Sequence, residues 1–211
     1  MISIENLSVK RGGKTVLALP MWEARDGERW AVLGPSGAGK TTLLHVIAGL
    51  IKPESGIVTV AGMEVATLSP SKMDRFRGQN IGIVFQSRCL IESMTALENL
   101  LLAQYLAGFA SDGKRAMETL ESLGIADCAG SLPSRLSAGQ AQRAAVARAT
   151  VNRPKVILAD EPTSSLDDRN CDAAIDLLFE AAERAGAALI IATHDNRVKP
   201  RFEKRLELAA P

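Results

Sequence analysis

The stretch Gly34-Pro35-Ser36-Gly37-Ala38-Gly39-Lys40-Thr41-Thr42 constrains this chain more than any other. It fits the pattern G-x-x-x-x-G-K-[ST], in which backbone N–H groups wrap phosphates while the lysine and the hydroxyl reach the terminal phosphate and magnesium. Its flanks are those the pattern needs. Trp30-Ala31-Val32-Leu33 reads as a short buried strand, and Leu43 to Leu50 continues as an apolar helix, so the loop delivers phosphate onto a helix N-terminus. The loop alone leaves the use of the nucleotide open, because kinases, GTPases, helicases and transporters share it. The rest of the chain must decide.

A chain of 211 residues can bury one substantial core without a disulfide staple. With 23% charged residues and a formal net charge of +1, it lacks the bulk electrostatic footprint of an extended nucleic-acid binder, and no nucleic-acid partner is expected. Cys89, Cys128 and Cys171 show no C-x-x-C spacing, which argues against a zinc knuckle and a disulfide framework. The N-terminus has no basic flank followed by a long apolar region, so no signal peptide is expected. The longest apolar run, Leu43 to Ile51 around His45, falls far short of the roughly 18 residues a bilayer span requires.

Ile2, Ile4 and Leu7 are spaced as in a half-buried strand, and Val16 to Trp22 offers a second strand before the Asp26-Gly27 turn. These two strands are expected to form a small antiparallel sheet, and after the loop's helix Ile57 to Val60 is a further strand between turn clusters. A polar segment, Ser69 to Asn80, leads into a strand from Ile81 to Phe85 that ends on Gln86. From Ser87 to Arg135 the pattern is helical, including a helix over about 112–123 with Asp112 as N-cap, Gly124 as stop, and Met117, Leu120 and Leu123 on one face. An Ala-rich helix follows Leu136-Ser137-Ala138-Gly139-Gln140 and runs through Thr150. Lys155 to Ala159 and Ala187 to Ala192 are runs suited to central parallel strands, joined by a helix from about Asp168 to Ala185. The fold class is α/β: a P-loop NTPase core with a mostly parallel central sheet, a small N-terminal antiparallel sheet and an inserted helical subdomain. One domain is expected, with the core over about 1–86 and 151–211 and the helical part over about 87–150.

In an open α/β sheet the ligand lies beyond the carboxyl ends of the strands, and here those ends carry the loop, Gln86, Asp160-Glu161 and His194. Each suits the cleavage of a β,γ-phosphate bond, where positioning and charge stabilisation dominate. Lys40 would neutralise phosphate charge, Thr41 would offer its hydroxyl to magnesium, and Asp160 would hold that ion, through water. Glu161 could take a proton from an attacking water, and His194 could bond the γ-phosphate and fix that water. As isolated residues, an exposed surface glutamate and a satisfied histidine are the plainer alternatives.

Leu136-Ser137-Ala138-Gly139-Gln140, followed by Gln142-Arg143, resembles the LSGGQ signature of ATP-binding cassette ATPases, with Ala138 at the usual third-position glycine. The phosphate loop, Phe85-Gln86 (the Q-loop), the signature, Asp160-Glu161, Ser164-Ser165-Leu166-Asp167 (the D-loop) and His194 (the switch histidine) stand in that family's order and near its spacings, over about residues 2 to 208. The resemblance implies ATP and Mg2+ as ligands, with Gln86 joining Thr41 and Asp160 at the metal. It further implies a head-to-tail dimer, in which each ATP lies between one subunit's loop and the other's signature, Ser137, Gly139 and Gln140, with Asp167 crossing the interface. The physics of the signature is compatible: Ser137 can cap a helix whose N–H groups face outward, and Gly139 lets a phosphate approach the backbone.

Arg77 to Ser87, with Thr95 to Leu100 after it, is similar to the small ATPases of the lipoprotein-releasing and macrolide-export type. In that group the ATPase drives a membrane-spanning permease from the cytoplasmic face of the membrane. Cys89, Leu90, Ile91 and Met94 would lie where the family docks its membrane partner, although core packing accounts for them equally well. Relatives usually stack an aromatic on adenine near Lys10 to Gly13; here Arg11 is the nearest match, and a guanidinium can also lie flat on a base. The sequence ends soon after Leu208, so a regulatory C-terminal domain is not expected. A soluble cassette ATPase of DNA repair, chromosome organisation or translation is the alternative reading, but long coiled-coil insertions or a second fused cassette would then be expected. A small-molecule kinase would leave the signature and D-loop unexplained.

Overall fold

The computed structural model describes residues 1–85, 89–164 and 166–209. Strands β1 (Ile2–Arg11), β2 (Lys14–Ala24), β4 (Ser55–Val60) and β5 (Met63–Glu64) form an antiparallel sheet in the order β2-β1-β4-β5. Strands β3 (Arg29–Leu33), β6 (Ile81–Val84), β7 (Val156–Asp160), β8 (Ala188–Thr193) and β9 (Lys204–Glu207) form a second, all-parallel sheet in the order β6-β7-β8-β3-β9.

The spacing of Ile2, Ile4, Leu7 and Val9 has a local cause. These side chains are buried on one face although the interval from Ile4 to Leu7 is odd. Pairing with β4 shifts register between Glu5 and Ser8, and Asn6 sits there at φ +50°. This extra residue restores the inward phase, as a β-bulge does. Gly56 on β4 accommodates it: a Cβ there would stand 2.5 Å from the carbonyl oxygen of Asn6.

The inner strands of the parallel sheet, β3, β7 and β8, are buried on both faces, and their residues alternate between two cores. Ala31, Leu33, Ile157, Ala159, Leu189 and Ile191 face one core, shared with α3 (Ala96–Leu106), α4 (Gly113–Ser122), α5 (Ala138–Thr150) and α6 (Asp168–Ala185). Val32, Val156, Leu158, Ile190 and Ala192 face the other, shared with α1 (Lys40–Ile47) and the antiparallel sheet. Uninterrupted apolar runs are what a doubly covered sheet requires. The polar segment before β6 is helical as α2 (Pro70–Asn80), and the edge strand β9 is an element that apolar patterning does not announce.

Helix α4 starts after Asp112, whose side chain accepts from Arg115 N, and Gly124 beyond its end has φ +68°. The expected stripe is corrected in one member. Leu120 and Leu123 are buried, but Met117 is exposed and Ala116 takes the inward position. Helix α5 packs through Ala141, Ala144, Ala145 and Ala147, small enough for close approach. Buried polar side chains fasten the loops of this helical region. Asn99 accepts from Ile91 N at 2.8 Å and donates to the carbonyls of Ile91, Met94 and Thr95, while Gln104 bonds both the N–H and the carbonyl of Asp112. Among the described residues, no helix is long and apolar enough to cross a membrane.

Candidate nucleotide site

The parallel order brings the carboxyl ends of β3, β7 and β8 side by side, with β8 between the other two. From β3 the chain turns through Gly34 to Gly39 into α1. Ala38 is buried and anchors this loop, while Pro35, Ser36 and Gly37 are exposed. Gly34, Gly37 and Gly39 hold φ of +157°, +81° and +88°. Only the last needs emphasis: at φ +88° a side chain is strained, and a Cβ would stand 2.7 Å from the carbonyl oxygen of Val16 on β2. That close approach brings the β1–β2 hairpin beside the loop. Arg11 and Lys14 are paired at the same end of the hairpin, with Arg11 exposed.

Lys40 is 7% exposed, and its Nζ donates to the carbonyls of Gly34 (2.9 Å) and Pro35 (3.1 Å) and lies 3.8 Å from Glu161 Oε1. Thr41 donates its hydroxyl to Asp160 Oδ1 at 3.1 Å. Burial pushes the Asp160 carboxyl above its ordinary range, against the Thr41 hydrogen bond that lowers it, and the charge of Glu161 adds to the rise. Asp160 and Glu161 point to different partners, because the backbone turns sharply at Glu161, φ +47°. Glu161 accepts from the Thr193 hydroxyl at 3.1 Å and from His194 N at 3.4 Å, and its Oε1 lies 2.8 Å from His194 Nδ1.

The chain's own residues fit a triphosphate with a hard cation. Helix α1 begins without a side-chain cap and without an acidic residue in its first turn, so its N-terminal N–H groups remain suited to an anion. Among the described residues no cluster of three or more His, Cys, Asp or Glu could cage a metal. One hydroxyl and one carboxylate beside a phosphate loop is instead the donor set of magnesium, which binds through a carboxylate, retained water and substrate phosphates.

The structure thus brings together Gly34 to Thr42, Asp160, Glu161 and His194. Gln86 lies outside the described residues, as does Ser165. Ser137, Ala138 and Gly139 are exposed at the start of α5, where Ser137 Oγ accepts from Gln140 N and Gln140 Oε1 accepts from Ser137 N, a reciprocal cap. Among the described residues no hydrogen bond joins these groups to the phosphate loop. Asp167 caps α6, accepting from Asn170 N and Nδ2, both at 2.9 Å. Sequence reasoning singled out His194 but passed over its neighbours. Thr193 and Asp195 bracket the histidine, and Thr163, 0% exposed, donates to Asp195 Oδ2 at 2.9 Å. A threonine at the end of an otherwise apolar strand was the available signal.

An uncapped helix after a glycine loop, with paired carboxylates at the end of β7 on the same sheet edge, defines a nucleotide-hydrolysing α/β protein. Residues 20–164 match the ABC transporter family model, and the chain belongs to that family. It is 42% identical over 197 residues to the lipoprotein-releasing system ATP-binding protein LolD of Bacteroides thetaiotaomicron, covering 92% of this chain and 90% of that protein. The LolD of Legionella pneumophila is 39% identical over 184 residues, covering 86% and 81%. Among solved structures, the dimeric post-hydrolysis state of the ATP-binding cassette MJ0796, bound to ADP and Pi, superposes with a TM-score of 0.86 at 33% identity, covering 100% of this chain and 96% of that one. The protein is accordingly an ATP-binding and ATP-hydrolysing cassette of an ABC transporter.

Proposed function

We propose that this cassette works as one half of a pair, in which two ATP molecules are each sandwiched between one subunit's Gly34–Thr42 loop and the other's Ser137–Gln140 signature, and that the pair drives a membrane-spanning permease. The observation that carries this reading is the placement of Ser137 and Gly139: exposed, at an outward-facing helix N-terminus, and unbonded to the loop of their own chain. A Cβ at Gly139 would meet nothing within 4 Å among the described residues, so packing within this chain does not call for glycine there. The MJ0796 cassette is described as dimeric in two structures, and the LolD relatives as parts of lipoprotein-releasing systems, which supports a second cassette and a membrane complex as partners.

Within this reading, Lys40 and the α1 N-terminus hold the phosphates, and Arg11 faces the base from the hairpin. Thr41, Asp160 and Gln86 would hold Mg2+, which when bound would offset phosphate charge. Glu161 accepts a proton from water, and His194 orients that water beside the γ-phosphate. Ser137, Gly139, Gln140 and Asp167 serve the second molecule's site. The helices over about 87–150 form the subdomain that presents the signature. Of the apolar residues after the Q-loop, Leu90 belongs to the core, whereas Ile91 is exposed and, with Phe85, Leu102 and Leu106, lines a groove of about 490 Å³ suited to a permease segment. The complex would place the cassette peripherally at the cytoplasmic face of the membrane.

The deciding experiment is Glu161→Gln, assayed for turnover and for ATP-dependent dimerisation. Turnover should fall by about a hundredfold or more, the range of a lost general base, and ATP should trap a dimer. Parent-like turnover without an ATP-dependent dimer would overturn the reading.

A further inference from the structure

Arg197 lies outside every motif described above, yet its guanidinium bonds three residues beside the site, Asp195, Leu166 and Asp168. Nε donates to Asp195 Oδ1 (2.9 Å) and Oδ2 (3.1 Å), and Nη2 donates to Oδ2 at 2.7 Å. Its other contacts cross to the D-loop and the start of α6: Nη1 and Nη2 reach the Leu166 carbonyl at 3.2 Å, and Nη1 reaches Asp168 Oδ1 at 2.7 Å. The Asp195 side chain is 10% exposed and also receives the Thr163 hydroxyl. Its backbone N–H donates to Thr193 Oγ1 at 3.0 Å, and that hydroxyl donates to Glu161. An unbroken chain therefore runs from Glu161 through Thr193, Asp195 and Arg197 to the residues on either side of Asp167.

We infer that Arg197 is a positioning residue, a strap that fixes the Leu166–Asp168 turn relative to the Glu161–His194 strand ends, so that a cassette's hydrolytic site and the Asp167 it offers to its neighbour move as one unit. A fork of donors is needed for this, because one cation must satisfy a carboxylate, a carbonyl and a second carboxylate in different directions. Lysine offers a point charge that can keep Asp195 but cannot span to Leu166 and Asp168 together. The network supports the geometry in both protonation equilibria: Arg197, followed by Thr163, holds the Asp195 carboxyl far below its usual range, and Asp195 and Asp168 hold the guanidinium charged.

This inference rests on the two-cassette reading, and the experiment separates them. Glu161→Gln is compared with Glu161→Gln/Arg197→Ala and Glu161→Gln/Arg197→Lys, measuring nucleotide binding to the monomer and the ATP concentration that half-saturates dimer formation; kcat and KM are measured for Arg197→Ala and Arg197→Lys without the glutamate change. The alanine variant should bind ATP as the parent does, need about tenfold more ATP to dimerise, and lose about tenfold in kcat, the worth of one charge-assisted hydrogen bond. Lysine should recover only part of this. A structural role alone would lower the melting temperature without separating dimerisation from monomer binding, and that result overturns the strap, as would parent-like dimerisation of Glu161→Gln/Arg197→Ala. If Glu161→Gln itself forms no ATP-dependent dimer, the two-cassette reading falls and the strap with it.

Discussion

The carboxylate of Glu161 and the imidazole of His194, 33 residues apart in sequence, meet with Oε1 and Nδ1 2.8 Å apart. With a carboxylate as its partner, Nδ1 is the protonated nitrogen; in the neutral ring Nε2 is then an acceptor, as for a water O–H, and it could donate to a phosphate oxygen only in the doubly protonated imidazolium. The pair sits where the positive φ of Glu161 turns its side chain away from Asp160 and toward β8. A non-glycine residue in that region costs on the order of 1 kcal/mol, and such outliers gather at functional sites.

His194→Ala removes this partner without touching the Gly34–Thr42 loop. We expect ATP turnover to fall by about a hundredfold, with nucleotide affinity changed by less than about threefold. Steady-state turnover and equilibrium binding check this together; an equal loss in both would place His194 in ground-state binding instead.

Lys40→Ala addresses the opposite member of the site. Its Nζ is held by the Gly34 and Pro35 carbonyls, 7% exposed, in a loop that would otherwise present only neutral donors to a polyanion. Affinity for ATP should fall by at least about tenfold, since a hydrogen bond to a charged group is worth about 1.5–3 kcal/mol. Fluorescent-nucleotide titration reads the loss directly, and unchanged binding would remove Lys40 from the phosphate site.

Two glycines should respond to the same substitution in opposite ways. Gly39→Ala forces a Cβ at φ +88° to within 2.7 Å of Val16 O, so the folded state should lose about 1–3 kcal/mol, seen in chemical denaturation. At Gly139 the added methyl meets nothing in this chain and lies in the first turn of α5. Stability there should hold or rise by up to about 1 kcal/mol, the helix preference of alanine over glycine. If Gly139 faces a partner's nucleotide, ATP-dependent dimerisation should nonetheless weaken, a separation of folding from assembly that light scattering and melting curves resolve.

What was legible in the sequence follows from how local each feature is. The apolar runs of β3, β7 and β8 announce a sheet covered on both faces, and the strand ends they define carry Lys40, Asp160, Glu161 and His194 to one edge. Short-range chemistry is equally readable: the Ser137 and Asp112 caps and the Gly39 turn depend on residues within a few positions. Long-range polar contacts are not. Nothing in the order of residues says that Arg197 reaches back to Leu166, or that Thr163 is buried against Asp195, because each is an ordinary polar residue until the β7–α6 and β8 termini are brought together. Strand β9 escaped for a related reason. Its residues Lys204 to Glu207 are polar in pattern, and they pair with β3 only because that edge of the sheet is open.

The Glu28–Lys204 contact ties that late strand back to the turn before β3, and it sets a pH dependence. Glu28 accepts from Arg25 N at 3.0 Å and from the Trp30 indole at 2.9 Å, with the Lys204 ammonium on its other oxygen. The Lys204 hydrogen bond, followed by that from Arg25, lowers its pKa from 4.5 to about 2. Because the folded value lies below the unfolded one, the charged form stabilises the fold fully above about pH 4.5, and that contribution is lost as the pH falls toward 2. Glu28→Gln should therefore cost about 1–3 kcal/mol at pH 7. The difference between variant and parent should narrow steadily below pH 4.5, which urea denaturation at a series of pH values measures. A gap that stays constant through that window would assign the stabilisation to packing of the side chain against Trp30 rather than to its charge.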